Sequence, residues 1–353
     1  MKFPRRRYHR PGTAPGTYDI ERTRTAEPPA ITIIDYDASS VLRSEGLADI
    51  SATPRLKNRW IQVVGPPSLD VLTQLERQFD IDPLILEDVV NTGQRPKLND
   101  FEPNLFLTLS VPVNGSAETF QQLSLYLGQN LLISFLNEQS DLFGPLEERL
   151  QRNNTRVRKE SAHYLLYTIL DLTVDLFFPL VDAAAARLET LEEEIITAPS
   201  EQALMEAHQS RNQLLLVRKL SWATREVINE LLRHWDTEET VAVRPFLQDT
   251  YDHIVGVIDL VETQRDIATN LVEVYLSVIS NRMNQVVKLL TLIATLFIPG
   301  TFIASLYGMN FDRNAGPLSM PELSWSFGYV TVLLIIGLSM LGMLAYFRGR
   351  RWL

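Results

Sequence analysis

Two long uncharged runs near the C-terminal end of this 353-residue chain limit its possible folds more than any other feature. Residues 289–307 and 327–347 contain no Asp, Glu, Lys or Arg, and each is close to the ~20 residues that cross a bilayer as a helix. Aromatic residues, which are typical of membrane interfaces, flank both runs at Tyr307, Trp325, Tyr329, Tyr346 and Trp352. The sequence therefore predicts two membrane-spanning helices.

Basic residues set the predicted orientation of these spans. They lie before the first run and after the second, at Arg282, Lys288, Arg348, Arg350 and Arg351. Because Lys and Arg are enriched on the cytoplasmic side of a membrane, we expect both termini in the cytoplasm and the connector between the spans outside. The connector holds Asp312, Arg313 and Glu322, a slightly acidic set that suits a cation entrance. This predicts a multi-pass protein of the inner (plasma) membrane.

Ahead of the spans, β-rich and helical patterns alternate, which is typical of an α/β domain. The β-rich runs occupy residues 31–34, 60–64, 105–109 and 131–135. One helix start is clear, because Asp82 suits an N-cap and Pro83 suits the first helical position.

After this region the pattern becomes helical. A break at Ala198-Pro199-Ser200 predicts a helical hairpin. The absence of proline between Pro245 and Pro299, with apolar residues at helical spacing, predicts one helix over residues 245–307, roughly 95 Å long at 1.5 Å per residue.

The predicted fold class is an α+β membrane protein. Its predicted segments are a flexible basic tail (1–28), a cytoplasmic α/β domain (29–160), a cytoplasmic helical hairpin (161–240), a long helix (241–307) that includes the first span (289–307), an outward loop (308–326), the second span (327–347) and a basic cytoplasmic end (348–353).

Composition limits the kinds of binding partner that the chain can have. The chain has no cysteine, so a metal ion would meet oxygen or imidazole ligands, and this favours hard cations. A formal charge of -10 argues against nucleic acid, since phosphate binding needs a basic face.

A stripe of small and polar residues follows one face of the first span. At spacings of three to four it contains Asn284, Val287, Thr291, Ala294, Ile298, Thr301 and Ser305. Two helices cannot enclose an aqueous path, so a pore requires several subunits around an axis. The alternative interpretation of the stripe is ordinary packing of small residues between helices.

The first span is followed by Gly308-Met309-Asn310. A Gly-Met-Asn triplet closing the first of two C-terminal spans resembles the signature of the CorA family of Mg²⁺ transporters. Further upstream, the stretches Leu86-Glu87-Asp88-Val89 and Gln94-Arg95-Pro96-Lys97 are also similar to the family pattern. The resemblance implies a funnel-shaped homopentamer with a pore-lining helix, an outer second span and no enzymatic activity.

The same resemblance implies roles for individual residues. Gly308, Met309 and Asn310 would form the selectivity filter, where Asn310 amide oxygens hold a hydrated Mg²⁺. The pore lining would comprise Glu273, Asn284, Leu290, Thr291, Ala294, Ile298, Thr301 and Ser305. Leu290 comes from the resemblance and Thr291 from the stripe, so the helix rotation stays open by about one position.

Regulation is also implied. Asp88 and Asp249 would face each other across neighbouring subunits and bind cytoplasmic Mg²⁺, with Glu87 and Asp171 as helpers. Mg²⁺ is then both the transported and the regulatory ion, and no organic cofactor is expected. Binding would favour a closed state and so limit uptake.

Three alternatives stay open. The first is a Zn²⁺ transporter of the ZntB type, with or without proton coupling, because relatives with this architecture differ in the ion they move and family pores also admit Co²⁺ and Ni²⁺. The second is a membrane-anchored enzyme that uses Glu87 with Asp88, or Asp171 with Asp175, as an acid/base pair. The third is a membrane-tethered sensor without flux. Residues 311–319 form a longer connector than the family pattern leads one to expect, so the outer vestibule is expected to differ from that of relatives.

Overall fold

The computed structural model describes residues 28–51, 53–113, 115–138, 140–236, 238–310 and 325–350, together with the single residues 14, 16, 316, 320 and 352. The predicted tail (1–28) and the longer connector (311–319) lie almost entirely outside the described residues. The chain divides into two compact units, Met1–Val272 and Glu273–Leu353.

The first unit is built on a seven-stranded mixed sheet with the order β2-β1-β3-β7-β6-β5-β4. The strands are β1 (Ala30–Tyr36), β2 (Val41–Glu45), β3 (Asn58–Val64), β4 (Lys97–Phe101), β5 (Asn104–Val113), β6 (Ser116–Leu127) and β7 (Leu131–Leu136). Neighbouring strands are antiparallel except β3 and β7, which run parallel with Ile61 opposite Ile133. The four predicted β-rich runs lie in β1, β3, β5 and β7, so those predictions are confirmed.

Two short helices, α1 (Leu69–Phe79) and α2 (Pro83–Val90), supply apolar side chains to the core on one face of the sheet. The predicted start of α2 is confirmed, since the Asp82 side chain accepts a hydrogen bond from the Leu84 N–H at 2.8 Å and Pro83 begins the helix. Helix α2 buries Ile85, Leu86 and Val89. Its polar residues Glu87 and Asp88 are therefore left at the edge of this core.

A buried ion pair ties β1 to β3. Arg59 and Asp35 lie opposite each other in register, and the Arg59 guanidinium contacts the two Asp35 carboxylate oxygens at 2.7 and 2.9 Å. Both side chains are about 5% exposed or less. Each buried charge is therefore neutralised by the other, and removing one partner would leave an uncompensated charge.

In the part of the first unit that the structure describes, six further helices precede the long one. They are α3 (Gly144–Gln151), α4 (Arg156–Lys159), α5 (Ala162–Asp175), α6 (Phe177–Thr197), α7 (Glu201–His234) and α8 (Glu238–Val241). Helices α5 and α7 contact the sheet, and α6 packs on α7. The predicted break at 198–200 is confirmed, and the Ser200 hydroxyl caps α7 by accepting from the Ala203 N–H at 3.1 Å.

The last two helices are α9 (Arg244–Tyr307) and α10 (Gly328–Gly349). Helix α9 has 64 residues, about 96 Å at 1.5 Å per residue, which confirms the predicted long helix. Its residues up to Val272 belong to the first unit, and the rest join α10 in the second.

Among the described residues, three helical stretches are long and apolar enough to cross a bilayer. In Ala162–Thr197, 67% of the most apolar 18-residue segment is buried inside the protein. In Arg244–Tyr307 and in Gly328–Gly349, only 6% of the corresponding segment is buried. A stretch already covered by its own domain needs no lipid to shield it. The two uncovered helices contain the predicted spans, and their crossing of a membrane stays a prediction.

Candidate functional site

The triplet Gly308-Met309-Asn310 lies where α9 ends. The Gly308 N–H still donates to the Ala304 carbonyl at 3.0 Å, and the Met309 N–H donates to the Leu306 carbonyl at 3.3 Å. A Cβ added to Gly308 would lie 3.3 Å from the Ala304 oxygen, so a glycine suits this close approach of the backbone to the last helical turn. Asn310 follows as an exposed residue outside the helix.

The residues predicted to line the pore lie on one side of α9, and all of them are exposed in the single chain: Glu273, Asn284, Leu290, Thr291, Ala294, Ile298, Thr301 and Ser305. Leu289 and Ile293, outside that set, are exposed as well. The opposite side meets α10, because Gly300 is buried and a Cβ on it would lie 3.3 Å from Ile336 Cγ2. At about 100° per residue, Ser305 is roughly 140° around the helix from Gly300. The stripe therefore faces away from α10, and its exposed face includes both Leu290 and Thr291.

Two threonine hydroxyls on this face have a defined orientation. Thr291 Oγ1 donates to the Val287 carbonyl at 2.8 Å, and Thr301 Oγ1 lies 3.0 Å from the Phe297 carbonyl and 2.9 Å from the Ile298 carbonyl. A hydroxyl has one hydrogen and two acceptor lone pairs. Because the hydrogen is directed at the backbone, these oxygens are left as acceptors toward the exposed side.

The predicted regulatory acids divide between two neighbourhoods of the first unit. Asp88, on α2, has polar partners from the same chain: Gln94 Nε2 lies 2.5 Å from its Oδ1 and Lys97 Nζ lies 2.6 Å from its Oδ2. Glu87 beside it accepts the Gly16 N–H at 2.6 Å. These contacts hold both acids of α2 within hydrogen-bonded surroundings.

Asp171 and Asp249 belong to a second neighbourhood, made by α5 and α9. Ligand atoms of Asp171, Asp175 and His253 lie within 4.8 Å of one another, and His253 Nε2 is 3.8 Å from Asp249 Oδ2. The Thr250 hydroxyl donates to Asp171 Oδ1 at 3.0 Å.

Charge repulsion marks this second group. Burial raises the pKa of the Asp175 carboxyl above its ordinary value, the negative charge of Asp171 raises it further, and His253 opposes the shift. A cation placed between these groups would relieve the repulsion. Carboxylate oxygens suit Mg²⁺, and the imidazole nitrogen adds a ligand that suits Co²⁺, Ni²⁺ or Zn²⁺. The residues present therefore fit a divalent cation.

Sequence reasoning gave Asp175 and His253 no part in metal binding. The signal that could have found them is the four-residue spacing of Asp171 to Asp175 and of Asp249 to His253, which places each pair on one helix face. It also assigned no role to Lys97, whose contact with Asp88 joins a strand to a helix.

Comparison with known proteins places the chain in a family. The model described as "CorA-like Mg2+ transporter protein" matches residues 56–351. The chain is 39% identical over 309 residues to the cobalt/magnesium transport protein CorA of Thermotoga maritima, covering 86% of this chain and 84% of the relative.

Solved structures agree on the fold. The complete CorA magnesium transporter from Methanocaldococcus jannaschii matches with a TM-score of 0.78 at 22% identity, over 92% of this chain and 98% of that one. The cytoplasmic domain of ZntB from Vibrio parahaemolyticus matches with a TM-score of 0.55 at 16% identity, over 73% of this chain and 100% of that one. The family model spans most of the chain and the Thermotoga maritima relative matches over 84% of its own length, so this protein belongs to the CorA family.

Proposed function

We propose that this chain is a channel or transporter for divalent cations, with Mg²⁺ as its main ion and Co²⁺ and Ni²⁺ as further ones. The observation that carries the proposal is the exposed face of small, polar and apolar residues on α9, which points away from α10 and is followed by Gly308-Met309-Asn310. Its relative in Thermotoga maritima is named a cobalt/magnesium transport protein.

The proposed assembly is a homopentamer in the inner (plasma) membrane, with α9 lining the pore and α10 outside it. Two helices of one chain cannot surround an aqueous path, so neighbouring copies must close it. Exposed apolar side chains on both helices, such as Phe302 at 67% and Leu338 at 67%, favour burial against lipid or other subunits. The basic residues Arg282, Lys288, Arg348 and Arg350 support a cytoplasmic location of both termini.

Hydrogen bonding explains how such a pore would conduct Mg²⁺. The ion gives up its water reluctantly, so a suitable lining accepts hydrogen bonds from the hydrated ion. Thr291 and Thr301 supply oriented hydroxyl acceptors, and Asn310 supplies an amide oxygen at the mouth. Leu290 and Ile298 would form apolar constrictions between these polar levels.

Regulation by cytoplasmic Mg²⁺ is part of the proposal. Asp88 and Glu87 on α2, with Asp171 and Asp249 at the α5–α9 contact, are the proposed ligands between subunits. The side chain of Asp249 is 69% exposed, so it is free to meet a carboxylate of a neighbouring copy. A bound cation would stabilise a closed state and shift the population away from conduction.

A Zn²⁺ transporter of the ZntB type is the second candidate. The observation that favours it is His253 beside Asp171 and Asp175, because imidazole is a preferred zinc ligand. The Mg²⁺ proposal has the stronger support, since the polar side chains at the predicted pore positions offer oxygen ligands and no imidazole.

Ion uptake into liposomes containing the purified full chain tests the proposal. Mg²⁺, Co²⁺ and Zn²⁺ are compared with and without a proton gradient, for the parent protein, Asn310→Ala and the exposed control Asn212→Ala on α7. We expect Mg²⁺ uptake in the parent and the control and its loss in Asn310→Ala. Full Mg²⁺-selective uptake by Asn310→Ala would refute the proposed role of Asn310 in the selectivity filter. Proton-dependent uptake of Zn²⁺ without uptake of Mg²⁺ or Co²⁺ would favour the Zn²⁺ transporter.

A further inference from the structure

Both carboxylate oxygens of Asp88 already have donors from the same chain. Lys97 Nζ lies 2.6 Å from Oδ2 and Gln94 Nε2 lies 2.5 Å from Oδ1. The ammonium carries the charge of a monovalent cation, and the Asp88 and Lys97 side chains are 21% and 35% exposed. Contact of this kind is shielded less by water than an ion pair on the open surface.

The fold holds these donors in place. Lys97 begins β4 and pairs in register with Thr108 of β5, so its backbone belongs to the sheet. The buried Gln122 of β6 donates to the Asp88 carbonyl at 2.9 Å and accepts the Gln94 N–H at 3.1 Å. The strand residue and the helix acid are therefore fixed relative to each other before any metal ion arrives.

The environment of Asp249 differs. Its side chain is 69% exposed and its neighbour is His253 at 3.8 Å. Of the two principal acids in the proposed regulatory site, one is thus open and the other is engaged by an ammonium group. A divalent cation that coordinates Asp88 Oδ2 must displace Lys97 Nζ, because two cations repel each other at one oxygen.

We propose that Lys97 is an internal competitor that sets the Mg²⁺ concentration at which the regulatory site fills. This inference rests on the proposed role of Asp88 as a regulatory ligand. When the ammonium leaves, Asp88 loses a charge-assisted contact, and the metal must offset that loss. Removing the ammonium therefore raises the affinity of Asp88 for Mg²⁺, and Lys97 acts on affinity without touching the ion.

The test uses the full chain and MgCl₂ alone as the probe. Lys97→Met removes the charge and keeps the aliphatic stem, Lys97→Gln removes the charge and keeps a donor, and Lys97→Arg keeps the charge. Lys57→Met is the matched control, because Lys57 is exposed elsewhere in the same domain. The midpoint of Mg²⁺ binding is read from binding heat and from protection against protease, and the midpoint of inhibition is read from liposome uptake.

We expect Lys97→Met and Lys97→Gln to lower both midpoints about three- to tenfold, the range for an ion pair of this exposure. Lys97→Arg and Lys57→Met should stay within about twofold of the parent. Thermal unfolding without Mg²⁺ identifies any variant that fails to fold, and the remaining charge-removing variant then decides the result.

An unchanged or higher midpoint in a folded Lys97→Met or Lys97→Gln variant overturns the competitor role. Asp88→Asn separates this failure from that of the proposed regulatory site. If Asp88→Asn loses Mg²⁺ binding while both Lys97 variants match the parent, only the competitor is wrong. If Asp88→Asn binds Mg²⁺ as the parent does, Asp88 is no ligand and the regulatory proposal fails with it.

Discussion

Replacing Thr301 by valine should reduce Mg²⁺ flux without disturbing the helix. Valine keeps the shape of threonine but removes the hydroxyl oxygen, whose hydrogen is directed at the carbonyls of Phe297 and Ile298. The substitution therefore removes a hydrogen-bond acceptor from the exposed face of α9. A hydrogen bond is worth about 1 kcal/mol net. If two waters of the passing ion use such acceptors at one time, the barrier rises by about 2 kcal/mol and the flux falls about thirtyfold.

The assay is the initial rate of Mg²⁺ uptake into liposomes, normalised to the amount of inserted protein. Thr331→Val is the matched control, because the Thr331 hydroxyl makes the same kind of contact with its own helix, to the Phe327 carbonyl at 3.0 Å, but lies on α10. Thr301→Ser keeps the oxygen and should stay within about threefold of the parent. Parent-like flux in Thr301→Val would refute the acceptor argument, and so would an equal loss in Thr331→Val.

Two further predictions concern helix packing and metal choice. Gly300→Val should lower the stability of the full chain by about 1–3 kcal/mol, because a Cβ at this position lies 3.3 Å from Ile336 Cγ2. The loss is read from the thermal midpoint in detergent. Adding Ile336→Ala should restore part of the lost stability, and no recovery would contradict this packing. His253→Ala should weaken Co²⁺ binding about tenfold and Mg²⁺ binding less than threefold, because imidazole is a better ligand for Co²⁺ than for Mg²⁺. Both affinities are measured from binding heat. Equal losses of affinity for the two ions would exclude direct ligation by His253.

Local signals were enough to predict much of the fold. Asp82 and Pro83 mark the start of α2 because a cap and a fixed backbone angle act within a few residues. The absence of proline and the helical period predicted α9 from Pro245 to Tyr307, one residue short of its start at Arg244. Each of these features is decided by neighbours in sequence.

The rest of the sheet depended on distant contacts. Strand β6 (Ser116–Leu127) buries Gln121, Gln122 and Ser124, so its polar residues hide the alternation that marks a half-buried strand. The 3₁₀ turn Leu47–Ser51 and the edge strand β2 have only five residues each, and β2 is mostly exposed, which leaves little periodicity to detect. Which strands are neighbours is likewise a property of tertiary packing.

Hydropathy has a similar limit. The stretch Ala162–Thr197 is apolar enough to cross a bilayer, yet most of its apolar window is covered by the protein. Acidic residues after Arg187 and the turn at Leu176 interrupt it, whereas the two C-terminal runs have no charge. The absence of charge over a full span therefore distinguishes the two C-terminal runs from Ala162–Thr197, and mean hydropathy alone does not, since one unpaired charge in lipid costs several kcal/mol.

In the candidate site, too, some features are set by neighbours in sequence and others by tertiary contacts. That the proposed pore-lining residues share one face of α9 was predictable, because one helix fixes the relative directions of all its side chains. The surroundings of Asp88 were not, since Lys97 reaches it from a strand and Gln122 from another strand 34 residues away. Acidic residues alone predict that a cation is attracted, but the binding strength depends on which donors already occupy their oxygens. At the proposed regulatory site we therefore expect the affinity of Asp88 to depend on the folded α2–β4–β6 contact, so that a change in β4 alters it while every predicted ligand stays the same.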